Sequence, residues 1–167
     1  MSTFDQAFDV LIGHEGGYVN NPKDPGGETK YGISKRSYPG LDIKSLTLAA
    51  AKAIYLRDYW QAGRCDVMPP SLALLHFDAC VNNGVRQAAK FLQQALRVAD
   101  DGAIGPKTLA ALKAAVGRGS HDEVDALCAE VLARRIFFQA TLPTWKTFGL
   151  GWSRRLAALP FQSVEMA

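Results

Sequence analysis

The sequence predicts a mainly α-helical fold with a long structured loop near its N-terminus. Apolar residues recur at spacings of three and four along most of the chain, the period of a helix face. No run of strand length alternates with a period of two. Gly, Pro, Asn and Asp concentrate between Tyr18 and about Ser45, a segment with room for a short β-hairpin within residues 18 to 40.

Taken in order, Phe4, Phe8, Leu11, Ile12 and Glu15 share one face of a first helix, with Thr3 and Gln6 as a capping box and Gly16 and Gly17 as its stop. Glu15 then falls in the last turn, at the edge of the inward face. The segment "HEGGYVNNPKDPGGETKYG", residues 14–32, crowds turn signals together, and long structured loops in compact domains are more often functional than idle. Helical spacing returns from Thr47 to about Ala62. It continues in "PSLALLHFDACVNNG", opened by Pro70 or Ser71 and closed by Gly84, and in "VRQAAKFLQQALRV", "PKTLAALKAAV" and "DEVDALCAEVLARRIFFQA". The link "DDGAIGPKT", residues 100–108, places Pro106 near a helix start; it reads as a connector in preference to a ligand site.

At 167 residues the chain suits one domain able to bury roughly 70% of its unfolded surface. With 48% hydrophobic and 21% charged residues it has the composition of a globular protein, not a disordered or fibrous one. A net charge of +3 favours an anionic polymer without saying which. Cys65, Cys80 and Cys128 are odd in number and lack CxxC spacing, so they read as buried thiols of a chain made in a reducing compartment. The opening has no basic leader and no run approaches the roughly 20 apolar residues of a spanning helix, so the chain is expected to be made in the cytoplasm without membrane insertion.

Glu15 carries the first chemical argument. The negative end of a helix dipole disfavours a carboxylate, and that placement with partial burial raises a pKa towards what a general acid needs near neutrality. A solvated helix-end glutamate is the plainer alternative. Asp24 is a turn former by context, and Thr29 a loop residue; together with Glu15 they offer the two carboxylates and neighbouring hydroxyl that glycoside cleavage uses. Asn82 and Asn83 have amides suited to sugar hydroxyls or N-acetyl carbonyls and equally suited to ending a helix. Tyr18 and Tyr31 border the loop and offer flat surfaces to a sugar ring, against the commoner fate of core packing.

His14, His76 and His121 show no HExxH or other metal spacing. His76 and Cys80, at i and i+4, have no third group to orient them as base and nucleophile. In "RRIFFQATLPTWKTFGLGWSRRL" the aromatics are expected on the core and the arginines solvated at its rim. No nucleic-acid module is present.

"HEGGYVNNPKDPGGETKYGIS" closely resembles the signature of the glycoside hydrolase 108 family, phage-endolysin-like N-acetylmuramidases marked by Glu-Gly-Gly-Tyr. "LHFDACVNNGVRQAAKFLQQAL", "DGAIGPKTLAAL" and "FGLGWSRR" resemble the segment that accompanies that region, often labelled peptidoglycan-binding. The resemblance implies a lysozyme-like helical domain in which residues 1–90 are the catalytic region with its long loop. Residues 91–167 are the peptidoglycan-binding-like region, packed with it as one unit.

The resemblance implies Glu15 as catalytic acid. The expected activity is cleavage of the β-1,4 bond between N-acetylmuramic acid and N-acetylglucosamine, with Asp24 and Thr29 stabilising the transition state or positioning water. Tyr18, Tyr31, Asn82 and Asn83 are expected to bind substrate. No metal or cofactor is called for. Peptidoglycan strands are the expected partner of a monomer that a holin-like pore or secretion system releases to the periplasm or wall. A lytic transglycosylase, a stem-peptide amidase and a non-catalytic wall-binding module are the alternatives; sparse histidines argue against a zinc amidase.

Overall fold

The computed structural model describes residues 2–12, 17–20, 27–117 and 120–164. They form seven α-helices and one two-stranded antiparallel sheet, so the fold is mainly α. The chain divides into two compact units, Met1–Asp58 and Tyr59–Ala167.

In the first unit α1 (Thr3–Ile12) buries Phe4, Ala7 and Phe8 at helical spacing. Its cap is one residue earlier than the expected Thr3 and Gln6 pair. The Asp5 N–H donates to Ser2 Oγ at 3.1 Å and the Ser2 N–H donates to Asp5 Oδ2 at 3.0 Å. A charged carboxylate in the first turn also meets the positive end of the helix dipole, which a glutamine does not exploit. Phe8 meets Tyr55 of α2 (Leu48–Tyr55) edge-on, ring centres 5.6 Å apart. Lys52 lies over the Phe4 and Phe8 rings and reaches Asp5 at 2.7 Å. Thr47 caps α2 by accepting from the Ala50 N–H at 3.2 Å.

Between these helices the hairpin forms from β1 (Thr29–Lys30) and β2 (Ile33–Ser34), with Thr29 opposite Ser34 and Lys30 opposite Ile33. Its two turn residues, Tyr31 and Gly32, have φ of 52° and 74°. Two positive φ values give the primed turn whose twist matches that of the strands. A Cβ on Gly32 would lie 2.4 Å from the Tyr55 hydroxyl, and that hydroxyl donates to the Tyr31 carbonyl at 3.0 Å. Ile33 points into the core with Ile43 and Leu46.

The expected helix from Thr47 to about Ala62 is interrupted: after Tyr55, residues Leu56–Gln61 widen into a π-helical turn. A 3-10 turn, Cys65–Val67, follows. In the second unit α3 (Pro70–Asn83) is the axis, with every residue from Leu72 to Cys80 buried. A helix buried on all sides needs neighbours on all sides; α3 packs against α4 (Val85–Ala95), α6 (His121–Ala140) and α7 (Trp145–Val164). Pro70 starts α3 and Gly84 ends it, as the punctuation predicts.

The link at 100–108 is a built connector into α5 (Pro106–Val116). Buried Gln93 organises it. Its Nε2 donates to Asp101 Oδ1, the Ala103 carbonyl and Thr108 Oγ1 at 2.8, 3.0 and 3.1 Å, and its Oε1 accepts from the Gly102 N–H at 2.9 Å. The C-terminal aromatic segment departs from expectation. Arg135 is 1% exposed, whereas Phe137 and Phe148 are exposed. A buried ion pair with α3, described below, overrides the usual preference that puts arginine outside.

Candidate active site

Glu15 and Asp24, the two carboxylates on which the sequence argument turns, lie outside the described residues, as does His14. The segments flanking them are described and place the other loop residues. Val19 and Thr29 form a bridge in which each N–H donates to the other's carbonyl at 2.8 Å. That bridge ties Gly17–Asn20 to the edge of the hairpin and sets Tyr18 close to Glu28, whose Oε1 accepts from the Tyr18 hydroxyl at 2.8 Å. This bond, followed by partial burial, raises the Tyr18 pKa above 10.0 and keeps the phenol protonated as a donor.

Thr29 is half-buried, and its Oγ1 makes a long contact of 3.4 Å with the Gly27 carbonyl. A hydroxyl held that loosely retains both acceptor lone pairs. Tyr31 sits at the hairpin tip with the Lys30 ammonium 5.5 Å from its ring centre. Tyr18, Thr29 and Tyr31 thus belong to one compact loop and hairpin. Glu28 is a further carboxylate of this loop that sequence reasoning passed over; it follows Gly27 directly, and no spacing rule singles it out.

Asn82 and Asn83 belong to the second unit, at the last turn of α3. The Asn82 side chain donates to the Asp78 carbonyl at 2.8 Å, which is a helix-end role. Asn83 Oδ1 accepts from Arg135 Nε at 2.8 Å. Arg135 also donates from Nη1 to Asp78 Oδ2 at 2.5 Å, while Arg155 donates from Nε and Nη2 to Asp78 Oδ1 at 2.9 and 2.6 Å. One fully buried carboxylate therefore holds two guanidinium groups. Burial pulls the Arg135 pKa down against the opposing pull of Asp78. The two asparagines, Arg135, Gln139, Trp152 and Arg155 line a cavity of about 130 Å³. Sequence spacing shows none of this, since Asp78 is 57 and 77 residues from its partners.

Cys65, His76 and Cys80 meet in the core, one ligand atom of each within 4.8 Å of the others. Two thiols and an imidazole are donors that soft transition metals take. Spacing hid the trio because Cys65 comes from the 3-10 turn while His76 and Cys80 are one turn apart on α3. Neither ring nitrogen of His76 has a hydrogen-bond partner among the described residues. Burial and the neighbouring Cys80 push the Cys65 thiol up. A hydrogen bond from Cys65 draws Cys80 down, with His76 and Arg135 adding to the effect. Gly63 closes over the pair; a Cβ there would lie 2.7 Å from Cys80 Sγ. Cys80 is fully buried, so no substrate carbonyl reaches it.

Seven helices with one short hairpin place the described residues in the lysozyme-like, mainly α class of fold. Comparison with known proteins identifies it further. Residues 8–84 match the family described as Glycosyl hydrolase 108, and residues 87–157 match a Predicted Peptidoglycan domain. The solved structure of Brucella abortus SagA is 32% identical, over 98% of this chain and 95% of that one, with a TM-score of 0.83. No functionally curated protein matches. The chain belongs to glycosyl hydrolase family 108, and it is a peptidoglycan-directed glycoside hydrolase. No helix among the described residues is long and apolar enough to cross a membrane.

Proposed function

We propose that the enzyme is an N-acetylmuramidase that cleaves the β-1,4 bond between N-acetylmuramic acid and N-acetylglucosamine, with Glu15 as general acid. The observation that carries this reading is the pattern from Glu15 to Thr29 inside the region matched to the glycosyl hydrolase family. Glu15 delivers its proton to the glycosidic oxygen as the bond to C1 breaks. Asp24 stabilises the oxocarbenium-like transition state or positions water. Thr29, with its hydroxyl only loosely engaged, helps hold that water, and Tyr18 and Tyr31 flank the sugar. Asn82 and Asn83 contribute a second contact region. Residues 1–90 form the catalytic region and 91–167 the wall-recognising region. The chain works as a monomer, without metal or cofactor. It is made in the cytoplasm and released to the periplasm or wall through a holin-like pore or secretion system.

Digestion of purified peptidoglycan with the wild type and with Glu15→Gln, followed by mass spectrometry of the soluble fragments, tests the reading. Reducing N-acetylmuramic acid ends from the wild type alone are the expected result. Anhydro ends would make the enzyme a lytic transglycosylase. Freed stem peptides, or no fragments from either protein, would overturn glycoside cleavage at this bond.

A further inference from the structure

We propose that the cavity between α3, α6 and α7 is a binding subsite for a carboxylate with an N–H or O–H donor on the same small unit. The chemistry is that of an acyl-amino-acid terminus or of an N-acetylated sugar bearing a lactyl ether acid.

Charge is the first observation. Arg135 and Arg155 both line the cavity and share one counter-ion, Asp78, whose two oxygens are already engaged by them. Two cations against one anion leave one positive charge uncompensated, and no acidic side chain is among the lining residues. Dipoles do not cancel this excess. The C-terminus of α3 carries partial negative charge, but α4 begins at the next residue after Gly84 and its N-terminus opposes it. The Arg155 side chain is 43% exposed, so part of its guanidinium faces solvent. A planar guanidinium already fixed on one edge is preorganised to receive a second carboxylate on another.

Unpaired polarity is the second observation. Gln139 is 6% exposed and lines the same cavity, and its Oε1 has no hydrogen-bond partner among the described residues. A buried acceptor left without a donor carries a desolvation cost that a donor on a bound ligand removes. The terminal torsion of a glutamine is broad, so the amide can turn its oxygen to meet that donor. Anion alone does not explain Gln139; anion plus adjacent donor does.

Size and shape are the third. At about 130 Å³ the cavity far exceeds the ~10–15 Å³ that admits one water, yet it is small beside the ~300–1,000 Å³ of pockets for drug-sized ligands. It takes one small unit, not a disaccharide. Trp152 provides a flat wall, itself stacked on Phe148 with ring centres 6.1 Å apart.

Peptidoglycan presents this chemistry from two sources: the terminal carboxylate of a stem peptide beside its amide N–H, and the lactyl carboxylate of N-acetylmuramic acid, free where the stem peptide has been removed, with the N-acetyl N–H on the same sugar. The choice of these probes rests on the peptidoglycan reading above. The experiment is an NMR titration of the full-length, isotope-labelled chain with an N-acylated D-alanyl-D-alanine, with its C-terminal amide, with N-acetylmuramic acid and with its methyl ester. One of the two acids is expected to shift the Trp152 indole and Gln139 side-chain signals, and the identity of that acid names the source. Its neutral partner is expected to bind at least about tenfold more weakly, the loss for a charge-assisted hydrogen bond.

Arg155→Gln is expected to weaken the acid by a similar factor while leaving the affinity of its neutral partner within about twofold, a split that a merely structural defect would not produce. Gln139→Leu is expected to weaken the acid and its neutral partner alike, because both carry the donor that meets Oε1. Absence of shifts with both acids, or equal binding of acid and neutral probe, would overturn the subsite. Glu15→Gln is titrated alongside. Binding without peptidoglycan cleavage by the wild type would sink the muramidase reading alone, and cleavage without binding would sink the subsite alone.

Discussion

Replacing Arg135 by Met should destabilise the second unit more than any other single change on its surface or edge. Arg135 is 1% exposed and Asp78 fully buried, so the substitution leaves a carboxylate in the core with one guanidinium in place of two. Removing one partner of a buried ion pair costs ~3–5 kcal/mol. Arg155 still occupies Oδ1 through two hydrogen bonds, which favours the lower figure, and Asn83 loses a donor at about another 1 kcal/mol.

The sum is ~4 kcal/mol, and at ~2–4 °C per kcal/mol for a domain of this size the midpoint should fall by ~8–16 °C. Arg155→Met removes a side chain that is 43% exposed and should cost only about 1 kcal/mol. All three tryptophans, Trp60, Trp145 and Trp152, lie in the second unit, so tryptophan fluorescence during thermal unfolding reports on that unit. A loss for Arg135→Met below about 1 kcal/mol, or smaller than that for Arg155→Met, would refute the argument that the buried pair organises the unit.

Three further outcomes follow from other parts of the fold. Gln93→Ala deletes four hydrogen bonds that hold the connector and should lower the urea-derived stability by ~2–4 kcal/mol. Gly32→Ala combines a φ of 74° with a Cβ 2.4 Å from the Tyr55 hydroxyl; it should cost ~2 kcal/mol or more, above the ~1 kcal/mol expected for Tyr55→Phe in the same denaturant assay. Lys52 and Ser2 hold the Asp5 carboxyl well below its ordinary 3.8. That stabilisation is present above the unfolded pKa and is lost as pH falls through the lower folded value. The stability gap between wild type and Asp5→Asn should therefore close on titration from pH ~5 towards ~2 and shrink with added salt, both read from acid denaturation curves.

Helices with strong punctuation were legible from residue order alone. Pro70 and Gly84 bound α3, and Pro106 opens α5, because missing donors and positive φ are local properties. α7 was not: Gly149, Gly151 and Pro160 argue against a helix of 20 residues, and packing on α3 and α6 overrides them. The π-helical turn after Tyr55 was equally hidden, since Leu56–Gln61 keep an ordinary helical composition. For the candidate site, the hairpin and the residues at its edges could be placed because turn chemistry is short-range. The Asp78 network and the Cys65, His76 and Cys80 trio needed tertiary structure, because their members come from separate elements and each residue alone reads as ordinary. Arg135 shows the difficulty well: nothing in "LARRIFFQ" tells which arginine turns inward.

Cys65, Cys80 and Cys128 are all free and all buried. Cys65 and Cys80 are 0% exposed, so a thiol reagent reaches neither until the second unit opens, and the rate of their labelling becomes a clock for that opening. The same arrangement orders two events in the life of the chain. If it folds before meeting an oxidising compartment, Cys65 and Cys80 arrive sealed; if it crosses extended, an odd number of thiols is offered at once, and one is left over to join a neighbouring molecule.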